Sequence, residues 1–315
     1  MVAHVHGPTA GPRYAVLFPG QGVQRPGMGE PWRGTPSWEL VDAVSRASGF
    51  DVAELLLSAG QETLSRTDHA QISVFTVSLM AWSEFRRREP DTRVAAVAGH
   101  SLGEYSALVA AGALPVADAA WLVGERGRAM AAASARRPGA MAAVMGGELA
   151  DVTALVDAAR ANGAELWVAN HNSVRQTVVA GSREAVADTS ARASEAGLRC
   201  SVLPVTAACH TPFMKPAGAD LRRALDATEF AEGTIPLVAN VDARPHRGGP
   251  HWRDLCARQL VSRVRWADTL GVLHEELGCT DFLDMGPGAT LSGLTRRTLR
   301  GVTSHRFELP VPQAA

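Results

Sequence analysis

The segment "RVAAVAGHSLGEYSALVAAGAL", residues 93–114, constrains the fold more than any other stretch of the chain. Val94 to Ala98 is an apolar run of strand length and Glu104 to Ala111 is rich in helix formers, so Ser101 falls on the turn between a strand and a helix. A Gly-x-Ser-x-Gly turn holds its serine in a tight, strained conformation, and Gly99 and Gly103 let strand and helix approach with no Cβ between them. The amide N–H groups that open the helix then face any negative charge growing beside the hydroxyl. By itself the five-residue pattern also fits a plain turn, and its surroundings must decide between the two.

Composition sets outer limits. With 315 residues, 46% hydrophobic and 20% charged, the chain buries a full core as one large domain or as a large one with an insert. A formal net charge of -1 leaves no global footprint for nucleic acid or an anionic membrane, and no apolar stretch reaches the length of a membrane span. Cys200, Cys209, Cys256 and Cys279 lack metal-ligand spacing. "MVAHVHGPTAGPR" has no apolar core of a signal peptide. The expectation is therefore a cytoplasmic protein without a bound metal, residues 1–13 forming a flexible tail.

"YAVLFPGQG" reads as a strand, Tyr14 to Phe18, running into a glycine turn, and "AQISVFTVSLMAWSEFRR" repeats its apolar positions at helical spacing. Strand, helix, strand, helix in that order implies a parallel sheet covered by helices. From Pro138 the texture changes to "GAMAAVMGG" (strand), "ELADVTALVDAARANG" (helix), "LWVAN" (strand), "RQTVVAG" (strand), "SREAVADTSARASEAG" (helix) and "RCSVLPV" (strand). This β-α-β-β-α-β order matches a ferredoxin-like unit, so residues 138–205 read as a small inserted subdomain. Residues 14–137 and 206–315 then form the large α/β subdomain, with "TDFLDMGPGATLSGL" as a late strand, glycine turn and helix.

A serine hydroxyl needs a positioned base to become a nucleophile, and the chain offers ten histidines. His4 and His6 lie in the tail, His246 and His251 in a Pro/Gly-rich loop, and His69 and His274 in polar or helical settings. His100 adjoins the serine, but successive side chains diverge on such a turn. His210, in "PVTAACHTPFMKPA", follows the insert's last strand, where the returning chain reaches the sheet's catalytic edge. Spacing alone leaves that choice open.

Six motifs, in order along nearly the whole chain, resemble the malonyl-CoA:acyl-carrier-protein transacylases, which include the acyltransferases of fatty acid and polyketide synthesis. They are "FPGQG" (18–22), "GHSLGE" (99–104), "RGRAM" (126–130), "CHTPFM" (209–214), "QLVSRVRW" (259–266) and "DMGPGATLSGL" (284–294). The resemblance implies a hydrolase-like α/β subdomain with a ferredoxin-like insert. It implies Ser101 as the acyl-accepting nucleophile and His210 as general base, in a dyad whose histidine is held by a backbone carbonyl at Gln259. It implies an oxyanion hole from the backbone N–H groups of Gln21 and Leu102. Arg126, 25 residues after Ser101, corresponds to the family's carboxylate-binding arginine, whose paired donors match the free carboxylate of a malonyl group. Gln71 matches another pocket position, and Asn170 or Asn172 and Asn240 match polar positions near the site.

One stretch departs from the family. Polyketide acyltransferases commonly carry His-Ala-Phe-His for malonyl or Tyr-Ala-Ser-His for methylmalonyl, whereas this chain has Ala207, Ala208, Cys209, His210. Small residues at 207 and 209 imply more room beside the acyl α-carbon, while Leu102 and "RGRAM" resemble the malonyl type. The implied activity is ping-pong transfer of a malonyl-type group from coenzyme A, through Ser101, to the phosphopantetheine thiol of an acyl carrier protein, with no cofactor bound. A discrete chain of this kind serves fatty acid synthesis or acts in trans on a polyketide synthase. The alternatives are transfer of an unusual acyl or aminoacyl unit between carrier proteins, and a serine hydrolase or thioesterase. Arg296, Arg297 and Arg300 in "TRRTLR" form a local basic cluster suited to an acidic carrier, against a reading as a solvated helix face. A monomer is expected.

Overall fold

The structure, a computed structural model, describes residues 11–309. Residues 1–10 of the expected tail lie outside them. Arg13, also assigned to that tail, is tied down: its backbone N–H donates to Thr280 Oγ1 at 3.2 Å and its Nη2 to the Leu277 carbonyl at 3.0 Å.

Ten strands are formed among the described residues: β1 (Tyr14–Phe18), β2 (Val94–Gly99), β3 (Ala140–Met145), β4 (Leu166–Ser173), β5 (Gln176–Gly181), β6 (Arg199–Val202), β7 (Leu237–Val238), β8 (Pro245–His246), β9 (Asp281–Asp284) and β10 (Thr303–Arg306). They make two sheets. The larger has the order β10-β9-β1-β2-β7-β8 and is parallel except for the β7–β8 pair. Ala15 to Phe18 and Ala96 to Ala98 are fully buried, the near-continuous apolar run of strands covered on both faces. Helix Thr67–Arg88 lies in this cover and is buried around its whole circumference from Ala70 to Ala81.

The smaller sheet has the order β4-β5-β3-β6, every pair antiparallel, with helices Leu149–Ala161 and Arg183–Glu195 inserted between its strands in sequence. This is the strand order of a ferredoxin-like unit. Its strands alternate in destination. Ala142 and Val144 of β3 pack with Val152, Val156 and Val186 in the sheet's own core, while Met141 and Ala143 join the main core of the larger unit. The architecture is thus α/β, a parallel-sheet unit with a ferredoxin-like unit set into it. No helix among the described residues is long and apolar enough to cross a membrane.

The two units are joined at an edge. His171 N–H of β4 donates to the Val264 carbonyl and Val264 N–H to the Ala169 carbonyl, both at 2.9 Å. The loops after β1, β2 and β7 leave the carboxyl ends of neighbouring parallel strands, where open α/β sheets place their sites.

Candidate active site

Ser101 sits between β2 and helix Gly103–Ala110 with φ +51°, in the left-handed region that a non-glycine residue enters only under strain. The flanking glycines make that turn possible. A Cβ on Gly99 would lie 1.9 Å from the Gly103 carbonyl carbon, and one on Gly103 would lie 2.0 Å from the Phe18 carbonyl oxygen. His210, also at positive φ (+60°), comes from the turn before Pro212–Met214. Ser101 Oγ and His210 Nε2 are 2.8 Å apart, and His210 Nδ1 is 2.9 Å from the Gln259 carbonyl, at the end of helix Trp252–Gln259. A carbonyl only accepts, so Nδ1 carries the proton and Nε2 presents its lone pair to the serine hydroxyl. Burial, with the nearby Arg126 charge adding to it, pushes the His210 pKa down to about 3, leaving the imidazole neutral.

Asn240, just past β7, fastens the elbow. Its Oδ1 accepts from Ser101 N–H and its Nδ2 donates to the Gly99 carbonyl, both at 2.7 Å. The backbone N–H groups of Gln21 and Leu102 have no protein acceptor among the described residues. They flank the serine from the turn after β1 and from the start of the elbow helix.

Arg126, on helix Val116–Arg136, is 1% exposed. Its Nη1 donates to Gln71 Oε1, and its Nη2 to Gln259 Oε1 at 3.0 Å and to Ser101 Oγ at 3.2 Å. Nε has no partner among the described residues. A buried guanidinium without a directly paired carboxylate is costly, and here the Gln259 amide stands between it and the Glu104 carboxyl. Gln259 Nε2 donates to Glu104 Oε2 at 2.7 Å and to the Ser101 carbonyl at 2.8 Å, while Glu104 Oε1 accepts from Asn240 N–H at 2.7 Å. Glu104 is 1% exposed, and that burial pushes its pKa up to about 8. In the sequence Glu104 is the end of a motif and the first residue of a run of helix formers, with no role at the site. A lone acid in the otherwise apolar and small "GEYSALVA" was the available signal.

The cleft over these groups has a volume of about 340 Å³. Gln21, Ser101 and His210 line one side; Met141, Asn170, Asn172 and Val178 of the small sheet line the other. Cys209 is on the wall, and burial pushes its thiol up to about 11, so it remains protonated beside the histidine. Ala207, expected beside the acyl group, is absent from the wall and packs in the main core. Gln71, Asn240 and Arg126 likewise stand behind the lining, Gln71 bonded to Arg126, Asn240 to the elbow, and Arg126 Nη2 reaching Ser101 Oγ at the floor of the cleft. His100 does turn away from the serine: its Nε2 meets Asn172 Oδ1 at 2.8 Å and its ring packs edge-on to Trp266. Arg296, Arg297 and Arg300 are exposed on and just beyond helix Thr290–Thr298, whose Leu291 and Leu294 reach the cleft.

Residues 16–313 match the acyl transferase domain family. The chain is 35% identical over 311 residues to the malonyl CoA-acyl carrier protein transacylase of Escherichia coli K12, covering 96% of this chain and 98% of the relative. Among solved structures, the malonyl-CoA:acyl carrier protein transacylase of Xanthomonas oryzae pv. oryzae superposes with a TM-score of 0.89 at 36% identity, over 94% of this chain and 95% of the other. A malonyl-transacylase solved in complex with its type II polyketide synthase acyl-carrier protein gives 0.88 at 32% identity, over 93% and 95%.

Proposed function

This chain belongs to the malonyl-CoA:acyl-carrier-protein transacylase family, and from that membership and the geometry above we propose that it moves a malonyl-type acyl group from coenzyme A to an acyl carrier protein through an acyl-serine. His210 Nε2 takes the Ser101 proton as Oγ attacks the thioester carbonyl. The tetrahedral oxyanion is held by the N–H groups of Gln21 and Leu102, both without protein acceptors among the described residues. Collapse breaks the carbon–sulfur bond, and the coenzyme A thiolate leaves with the proton from His210. The phosphopantetheine thiol of the carrier then attacks the acyl-serine, His210 takes the thiol proton, and Ser101 leaves with it restored. Two half-reactions at one serine make the kinetics ping-pong. No step needs a metal or redox cofactor.

The observation that carries the malonyl reading is the buried Arg126, 3.2 Å from Ser101 Oγ with an unpartnered Nε. A malonyl carboxylate supplies the acceptor that this guanidinium lacks; an acetyl group leaves it unpaired. The same argument disfavours an uncharged aminoacyl substrate. Residues 138–205 act as the small subdomain that closes the cleft, and Arg296, Arg297 and Arg300, exposed on and just beyond the helix whose Leu291 and Leu294 line it, steer an acidic carrier protein toward it. The enzyme works as a cytoplasmic monomer in fatty acid synthesis or in trans on a polyketide synthase.

Intact-protein mass spectrometry after exposure to a panel of acyl-CoAs tests the reading. Wild type gains a malonyl or α-substituted malonyl adduct, Ser101→Ala gains none, and phosphopantetheinylated carrier protein discharges the adduct. An acyl-enzyme formed only from uncharged donors would refute the carboxylate clamp. Release of free acid at equal speed without carrier would make the protein a hydrolase.

A further inference from the structure

Arg126 has only donors, and that fact orders a line of hydrogen bonds leading away from it. The Gln71 amide must turn its oxygen to Arg126 Nη1, which leaves Gln71 Nε2 to donate to Thr67 Oγ1 at 3.1 Å. Thr67 and Gln71 are four residues apart on one helix and share a face. Having accepted from Gln71, the Thr67 hydroxyl gives its single proton to Gln21 Oε1 at 2.8 Å. Every link points the same way, so the bonds polarise one another. The line ends on the residue whose backbone N–H is assigned to the oxyanion hole.

The loop at that end needs an anchor. Gln21 lies between Gly20 and Gly22, the latter at φ +108°, so the flanking backbone is the least restricted that a chain offers. Gly20 passes so close to the elbow that a Cβ there would lie 2.7 Å from the His100 carbonyl oxygen. Glycines permit that approach but do not fix the direction of the next N–H. The side chain of Gln21 does, through Thr67.

We propose that Thr67 is a positioning residue that holds the Gln21 N–H on the reacting carbonyl and links the oxyanion hole to the arginine that receives the acyl carboxylate. This rests on the assignment of Gln21 and Arg126 in the preceding subsection, and it extends that assignment to a residue outside the cleft wall. Catalysis falls off steeply when an oxyanion donor is misplaced, with losses on the order of a hundredfold for errors near 1 Å.

Thr67→Val and Thr67→Ala remove the hydroxyl, whereas Thr67→Ser keeps it. Two rates are read on each: malonyl transfer from malonyl-CoA, and phosphonylation of Ser101 by a fluorophosphonate, which uses the oxyanion hole but no malonyl group. The expected result is a fall of about tenfold or more in kcat and in phosphonylation rate for Val and Ala, with KM for malonyl-CoA within about threefold of wild type. Thr67→Ser stays near wild type. Slowed phosphonylation alongside a wild type that takes no malonyl would uphold the anchor and reject the malonyl reading. Rates equal to wild type in Val and Ala would overturn the proposal, as would a Ser variant as slow as Val. A rise in KM with kcat unchanged would overturn it too, because it would make Thr67 a binding residue.

Discussion

The two walls of the cleft are built on different terms. On the parallel-sheet wall the reacting groups sit on strained backbone: Ser101 and His210 both have positive φ, and the elbow is closed by glycines that leave no room for a methyl group. On the antiparallel wall, Met141, Asn170 and Val178 are strand residues in the ladders of β3, β4 and β5. A backbone that fits one path makes the chemistry all-or-none. Side chains on a regular strand can be exchanged one at a time, so this wall should tolerate substitutions that the elbow does not.

That contrast is tested first where it predicts the greatest loss. His210→Ala should lower acylation by about a hundredfold or more, the usual consequence of removing a positioned base. In wild type the same histidine gives a pH signature. Its pKa is pushed down to about 3, so the neutral, basic form persists well below the ordinary value of 6.5. The rate of Ser101 acylation should therefore stay level from pH 7.5 to pH 5. A step near 6.5 would show that His210 is solvated in the working enzyme and that this wall is looser than described.

Arg126→Ala should be comparable, with malonyl transfer reduced by several kcal/mol, as when one partner of a desolvated charge pair is lost. Competition between malonyl-CoA and acetyl-CoA should show acetyl gaining relative to malonyl. The smallest effect belongs to the neighbouring stretch at 207–209. Cys209→Phe narrows the cleft and should disfavour methylmalonyl against malonyl by tens of fold, since a methylene of pocket room is worth about 1–3 kcal/mol. Ala207→His should lower Tm instead, because Ala207, buried like Cys209, does not line the cleft, and overpacking costs about 1–3 kcal/mol. If Ala207→His changed acyl choice without loss of stability, the boundary between wall and core would have to be redrawn.

Local patterns carried much of the fold. The elbow, the β-α-β-β-α-β order and the β1 strand were legible because strand length, helix formers and glycines act within a few residues of one another. The histidine was not, since 109 residues separate it from Ser101 and its choice came through family resemblance. The inner connections left no local trace. Gln259 serves His210 through its carbonyl and both Arg126 and Glu104 through its side chain, and sequence gives no sign of such double duty. Thr67 reads as an ordinary start to a helix until tertiary closure sets it against Gln21.

The short stretch from Gln259 to Arg265 ties three things to one cord. Its first carbonyl steadies the imidazole, Val264 is knotted into the edge of β4 around Asn170, and Arg265 N–H is tied to the Asn240 carbonyl at 3.0 Å. Because one stretch of chain makes all three ties, a displacement at the edge of β4 would be felt by the base and by the elbow together.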